Sequence, residues 1–169
     1  MRRAYYGLSA DPVTLGHVWV IQRAAMMFDE VTVAVANNPN KRHDFLHDAR
    51  VNMTAEACHH LPKVKVVALA PDEFLVTAAR QAEAEYLIRG LRNGQDYAYE
   101  ADLARFNAEL EPTVLTIFMQ TPAHLAGVSS SFVKGLVGLK GWQDLVKQYV
   151  PINVFHALRI WHEKGRQPV

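Results

Sequence analysis

Leu8-Ser9-Ala10-Asp11-Pro12-Val13-Thr14-Leu15-Gly16-His17 is the stretch on which the reading of this chain turns. Before it, Ala4-Tyr5-Tyr6-Gly7-Leu8 has the apolar, aromatic-rich make-up of a short strand. Asp11-Pro12 is a turn signal. From His17 onward, Val18, Ile21, Ala25 and Phe28 recur at spacings that trace one face of a helix. A strand, a tight turn and a helix start together make a place for phosphate. The first N–H groups of a helix have no partner within it, and the helix dipole adds partial positive charge at that end.

The same alternation continues outward from this stretch. Glu30 to Ala36 reads as a strand with Val31, Val33 and Val35 on one side and Thr32, Ala34 and Ala36 on the other. Neither side is strongly polar, as in a parallel strand covered on both faces. Val64–Leu69, Glu85–Arg89 and Val114–Met119 are further strands. Helices are expected from Phe45 or Leu46 to near Leu61, and from Pro71-Asp72-Glu73 to about Ala84, where Pro and acidic residues suit a first turn. Tyr99, Leu103, Phe106 and Leu110 mark another, and Phe132, Leu136 and Leu139 lie on one capped by the serine run. A last helix runs from about Pro151, with Val154, Ala157, Leu158 and Trp161 on one face. This order predicts an α/β fold, a Rossmann-like, doubly wound parallel sheet of five strands with helices on both faces and a C-terminal helix. Residues 1–169 read as one domain. Ligands of such sheets sit beyond the carboxyl ends of the strands. Four polar segments fall there: the Ser9 turn, Asn37 to Asp44, Arg89 to Arg92, and Ser129-Ser130-Ser131.

Composition narrows the function classes. Eighteen Lys and Arg against 17 Asp and Glu leave a formal charge of +1, which gives no electrostatic footprint for nucleic acid or an acidic membrane surface. Anion binding must therefore be local. The single cysteine, Cys58, forms no internal disulfide, and its setting beside Ala55 and Ala57 reads as packing rather than nucleophilic chemistry. No apolar run approaches a membrane span, so a cytoplasmic protein is expected. The histidines show no zinc-type pairing with cysteine, and no structural metal is expected. Neither GxxxxGK[ST] nor GxGxxG is present.

Four groups of residues carry the candidate chemistry. A lone histidine at a helix start is usually a cap, but Thr14-Leu15-Gly16-His17 surrounds it with a hydroxyl and a glycine that allows close approach. Such an imidazole can donate to a phosphoryl oxygen as charge builds on it. Lys41 lies in the loop after the second strand, which overhangs the same sheet end as Ser9. Arg89-Gly90-Leu91-Arg92 leaves an apolar strand at that end, and its two guanidiniums offer bidentate donors to phosphate. Asp96, Glu100 and Asp102 are their possible carboxylate partners. The serine run offers hydroxyls and free N–H groups at another helix start.

Taken together, Ser9-x-Asp11-Pro12-x-Thr14-x-Gly16-His17, Asn38-Pro39-Asn40-Lys41, Leu87-Ile88-Arg89-Gly90-Leu91-Arg92, Asp96-Tyr97-x-Tyr99-Glu100 and Val128-Ser129-Ser130-Ser131-x-Val133-Lys134 resemble bacterial phosphopantetheine adenylyltransferase. The resemblance runs from about Arg3 to Lys164. It implies transfer of AMP from ATP to 4′-phosphopantetheine with Mg²⁺, and a homohexamer; exposed tail residues such as Trp161 would suit contacts between copies. By position, His17 would stabilise the α-phosphoryl transition state. Ser9, Lys41, Leu75 and Arg89 would hold the acceptor. Ser9, Ala10, His17, Gly90, Leu91, Arg92 and Glu100 would contact ATP. Leu125, Ala126, Gly127, Val128, Ser129, Ser130 and Ser131 would close over the nucleotide.

The chain departs from the family pattern at Leu8, where a glycine is usual, and at Ala10 and Leu125, where aromatics are usual. These departures keep two alternatives open. One is a sister nucleotidylyltransferase with another phosphate acceptor, against which Thr14 counts, since those relatives usually carry His there. The other is a non-catalytic nucleotide or CoA binder.

Overall fold

The computed structural model describes residues 1–37 and 42–169. Five strands, β1 (Arg3–Leu8), β2 (Glu30–Val35), β3 (Val64–Ala68), β4 (Tyr86–Leu91) and β5 (Leu115–Gln120), pair in parallel in the order β3-β2-β1-β4-β5. The helices are α1 (Leu15–Met27), α2 (His47–Cys58), α3 (Leu75–Gln81), α4 (Gly94–Leu110), α5 (Ser130–Leu136), α6 (Trp142–Val146) and α7 (Ile152–Glu163).

Strand alternation divides the core between the two sheet faces. Ala4, Tyr6 and Leu8 of β1, Val31, Val33 and Val35 of β2, and Ile88 of β4 pack into one cluster with α1, α2 and α7. Tyr5, Ala34 and Leu87 point the other way, into a smaller cluster with Val76, Ala78 and Ala79 of α3. The chain order reverses direction across the sheet at β1 and β4, so their carboxyl ends flank the switch point where ligands bind in doubly wound sheets.

Several expected boundaries move. α1 begins at Leu15, which makes His17 its third residue. α2 stops at Cys58, short of Leu61. Pro71-Asp72 forms a turn, and α3 starts only at Leu75 and ends at Gln81. β4 runs on through Gly90 and Leu91, which were expected in a loop. α4 then starts at Gly94, where the Asn93 side chain accepts from the N–H groups of Gln95 and Asp96. α5 ends at Leu136, before Leu139, and α6 is an element that periodicity did not reveal.

Two features depart from what the sequence suggests. The stripe of Tyr99, Leu103, Phe106 and Leu110 marks a helix as expected, yet α4 buries no residue fully: Leu103 is half-buried and the other three are exposed. Trp161, expected on the surface, is only 3% exposed and packs against Phe45. Cys58 is buried as expected, and burial pushes its thiol up to about 11, so it stays protonated and unreactive.

Candidate active site

β1 ends at Leu8, and the chain turns through Ser9 and Ala10 into α1. Ala10 takes a left-handed φ of 49°, a conformation that costs a non-glycine residue about 1–2 kcal/mol and persists only where the surroundings fix it. Here they do. The Asp11 carboxylate accepts from the N–H groups of Phe45 at 3.0 Å and Asp44 at 3.2 Å. Lys134 Nζ, from α5, sits 2.6 Å from both Asp11 and Asp44. Burial alone would lower the Lys134 pKa, but hydrogen bonds to the two carboxylates more than offset it and the net shift is upward. Ser130 Oγ donates to the Pro12 carbonyl at 2.8 Å. From beneath, the guanidinium of the fully buried Arg50 reaches the Ser9 carbonyl.

Over this turn opens a cavity of about 430 Å³, walled by Ser9, His17, Arg89, Arg92 and the serine run. The His17 ring is tied back to its own helix start, where the Thr14 backbone N–H lies 3.0 Å from Nδ1. A backbone N–H can only donate, so Nδ1 accepts, and a neutral ring then carries its proton on Nε2. Burial and then the Arg92 charge pull the His17 pKa down to about 4. The ring is therefore neutral near pH 7, a hydrogen-bond donor that loses no proton there.

The two arginines are held rather than free. Arg89 forks onto Glu100 at 2.5 and 2.8 Å, with both side chains less than a fifth exposed. Arg92 forks onto Asp96 at 2.8 and 3.0 Å. The hydrogen bond to Asp96 raises the Arg92 pKa, and the same bond lowers that of Asp96. A bidentate fork fixes each guanidinium plane while leaving other N–H donors for a ligand. Asp102 takes no part in this and pairs with Arg105 on the surface. Gly90 lets β4 come close to its neighbours, since a Cβ there would stand 3.2 Å from Tyr6 Oη and 3.3 Å from Val20. Burial raises the Tyr6 pKa beyond any physiological range, so its phenol stays protonated.

The expected residues separate into three groups. Ser9, Ala10, His17, Arg89, Gly90, Arg92, Glu100, Ser129, Ser130 and Ser131 all border the cavity. Leu75 does not line it directly but seats its side chain over the β1 backbone: a Cβ on Gly7 would fall 2.3 Å from Leu75 Cδ1. Leu91, Leu125 and Val128 are buried outside the cavity lining, Ala126 is half-buried and Gly127 exposed, also outside it, and the Val128 carbonyl faces Gly16. Lys41 lies outside the described residues, together with Asn38, Pro39 and Asn40. Of the three serines only Ser129 caps α5, accepting from the Phe132 N–H, while Ser130 is spent on the Pro12 carbonyl. Leu8 and Ala10, two departures from the family pattern, belong to the core cluster and both also touch the cavity wall. Gly7→Ala should therefore push Leu75 out of its seat. The expected result is a lower melting temperature than wild type, read by thermal unfolding.

Residues 5–136 match the Cytidylyltransferase-like family. The chain is 40% identical over 162 residues to a phosphopantetheine adenylyltransferase of Neisseria meningitidis serogroup C, covering 96% of this chain and 95% of that one. A phosphopantetheine adenylyltransferase of Streptococcus agalactiae serotype Ia is 37% identical over 163 residues, covering 96% and 99%. The chain belongs to the phosphopantetheine adenylyltransferase family. Among solved structures, a nicotinic acid mononucleotide adenylyltransferase of Plasmodium falciparum complexed with NaAD superposes with a TM-score of 0.66 at 16% identity, covering 95% of each chain, which shows a shared fold. The family thus agrees with the motif resemblance. Its motifs contain Asp11 and Lys134 without giving either a role, and they do not include Arg50; all three lie around the turn rather than on its cavity side. Arg50 gave no sequence signal; Lys134, five residues beyond the Ser129 cap, is an ordinary surface residue until the fold places Asp11 and Asp44 beside it.

Proposed function

We propose that the chain transfers the adenylyl group of ATP to 4′-phosphopantetheine, giving dephospho-CoA and pyrophosphate in coenzyme A biosynthesis. Beyond family membership, the observation that carries this reading is the convergence on one cavity of a neutral His17, two carboxylate-anchored arginines and the Ser9 turn.

A phosphate oxygen of the acceptor attacks the α-phosphorus of ATP. The new P–O bond forms as the bond from the α-phosphorus to the bridging oxygen breaks, and pyrophosphate leaves with that electron pair. The nucleophile is already anionic near neutral pH, because a phosphate monoester has a second pKa of about 6. No general base is needed, and catalysis rests on alignment and on charge stabilisation. His17 Nε2–H donates to the α-phosphoryl oxygen as its charge grows. Ser9, Lys41 and Arg89 hold the acceptor phosphate, with Leu75 against its pantetheine arm. Arg92 and the serine run hold the outer phosphates of ATP, and Glu100 keeps Arg89 in plane. Mg²⁺ would enter with the nucleotide and neutralise the leaving pyrophosphate. Its ligands would be phosphate oxygens, because Asp96, Glu100, Asp11 and Asp44 are each engaged by a cationic side chain.

Assembly of identical copies, a homohexamer, goes with this reading. α4 exposes Tyr97, Tyr99, Phe106 and Leu110 along one helix, with Phe74 stacked edge-on to Phe106, more apolar surface than a lone chain usually presents together. Reaction in the cytoplasm goes with the use of ATP; among the described residues no helix is long and apolar enough to cross a membrane.

The test is purified protein with ATP, Mg²⁺ and 4′-phosphopantetheine, followed by pyrophosphate release. Dephospho-CoA is the expected product. Turnover only with another phosphate acceptor, such as nicotinamide mononucleotide, would overturn the assignment.

A further inference from the structure

We propose that Arg50 is a positioning residue for the acceptor phosphate, locking the Ser9 turn in register with the end of β2 and the entry to α2. The proposal rests on the adenylyl-transfer reading above. Arg50 lies in the first turn of α2 and is wholly buried. Its guanidinium makes four hydrogen bonds, to the Ser9 carbonyl at 2.6 Å, the Ala36 carbonyl at 2.7 Å, Asn37 Oδ1 at 2.7 Å and the Phe45 carbonyl at 3.1 Å.

Those acceptors come from three separate pieces of chain. Ser9 is in the turn after β1, Ala36 and Asn37 follow β2, and Phe45 stands just before α2. The Ser9 turn, the end of β2 and the entry to α2 are thereby fastened to one rigid plane. None of the four acceptors is a carboxylate, unlike the partners of Arg89, Arg92 and Lys134. Arg50 is effectively always charged, so it places an unforked positive charge directly under the turn. Burying a charge on carbonyl partners is expensive, and an apolar side chain of similar volume would hold the packing at least as well. What an apolar residue cannot do is set four oxygens from three segments in fixed register. Neither can lysine, whose donors all radiate from one nitrogen.

The experiment uses full-length R50K and N37A, checked for folding by circular dichroism, with both substrates varied and with amide hydrogen exchange measured alongside. R50K should raise the KM for 4′-phosphopantetheine about tenfold, the scale of one lost charge-assisted hydrogen bond, while the KM for ATP stays within about twofold. Exchange should quicken at residues 9–11 and 42–46 and not in β3. N37A should shift the same quantities in the same direction by less. Equal changes in both KM values, or none, with unaltered exchange would overturn the proposal. If R50K does not fold, N37A decides by the same split. Wild-type protein that does not turn over 4′-phosphopantetheine would instead sink the functional reading, and the exchange data would then decide whether Arg50 fastens the three segments.

Discussion

Replacing His17 by alanine should lower the rate of adenylyl transfer by about 10²–10³, the cost of losing one preorganised donor to a developing oxyanion. ATP affinity should change little, because the interaction strengthens only as charge builds in the transition state. Single-turnover kinetics and equilibrium nucleotide binding separate the two quantities. A rate within a few-fold of wild type would remove His17 from the mechanism. The same residue makes a claim about pH. Its pKa of about 4 in the fold lies below the ordinary 6.5. Between these values the unfolded chain binds more protons than the folded one, so His17 makes stability fall as pH drops through that window. His17→Ala should therefore show a flatter loss of stability with acid than wild type. In kcat/KM, an acid limb near pH about 6 would belong to the second ionisation of the acceptor phosphate, and it should persist in the variant.

Lys134→Met should be the most destabilising single change at the site. The ammonium is shared by Asp11 and Asp44, and its side chain is 16% exposed. Breaking a buried pair costs about 3–5 kcal/mol because a charge is left uncompensated; the 30% exposure of Asp44 places this case near the low end. At about 2–4 °C per kcal/mol for a chain of this size, Tm should fall by roughly 6–12 °C. Adding Asp11→Asn should recover part of that loss. An asparagine carbonyl oxygen can still accept from the N–H groups of Phe45 and Asp44, while the stranded charge is gone. A double variant no more stable than Lys134→Met alone would mean that the lysine acts by packing and not by charge.

The layer structure and the cavity side of the site were legible from local pattern. Alternating Val31, Val33 and Val35, the Ser9-to-His17 stretch and Arg89 to Arg92 all announce themselves within a few residues, because strand period, turn chemistry and helix starts are local properties. What failed was non-local. The α4 stripe has helical spacing, but spacing does not say what covers an apolar face, and here no residue of α4 is buried by the chain itself. Trp161 looked like a tail residue because nothing nearby in sequence shows that α7 folds back on Phe45. Arg50 and Lys134 sit in unremarkable helical contexts, and their partners lie far along the chain. Gly90 and Leu91 were expected in a loop because glycine usually ends a strand, whereas here it gives Tyr6 and Val20 room to approach.

The order β3-β2-β1-β4-β5 also bears on how the protein comes into being. As the chain leaves the ribosome, β1, β2 and β3 can pair with one another as soon as they emerge. Residues 4–6 of β1, however, keep one side unpaired until residues 86–88 arrive. Closing so long a loop is slow, and an open apolar strand edge invites pairing with other chains in the meantime. The half-made protein thus leaves the strand that leads into the Ser9 turn open on one side. The arrival of β4 both covers that side and delivers Arg89 and Arg92 to the cavity, so the central strand of the sheet gains its second partner by the same step that brings the arginines.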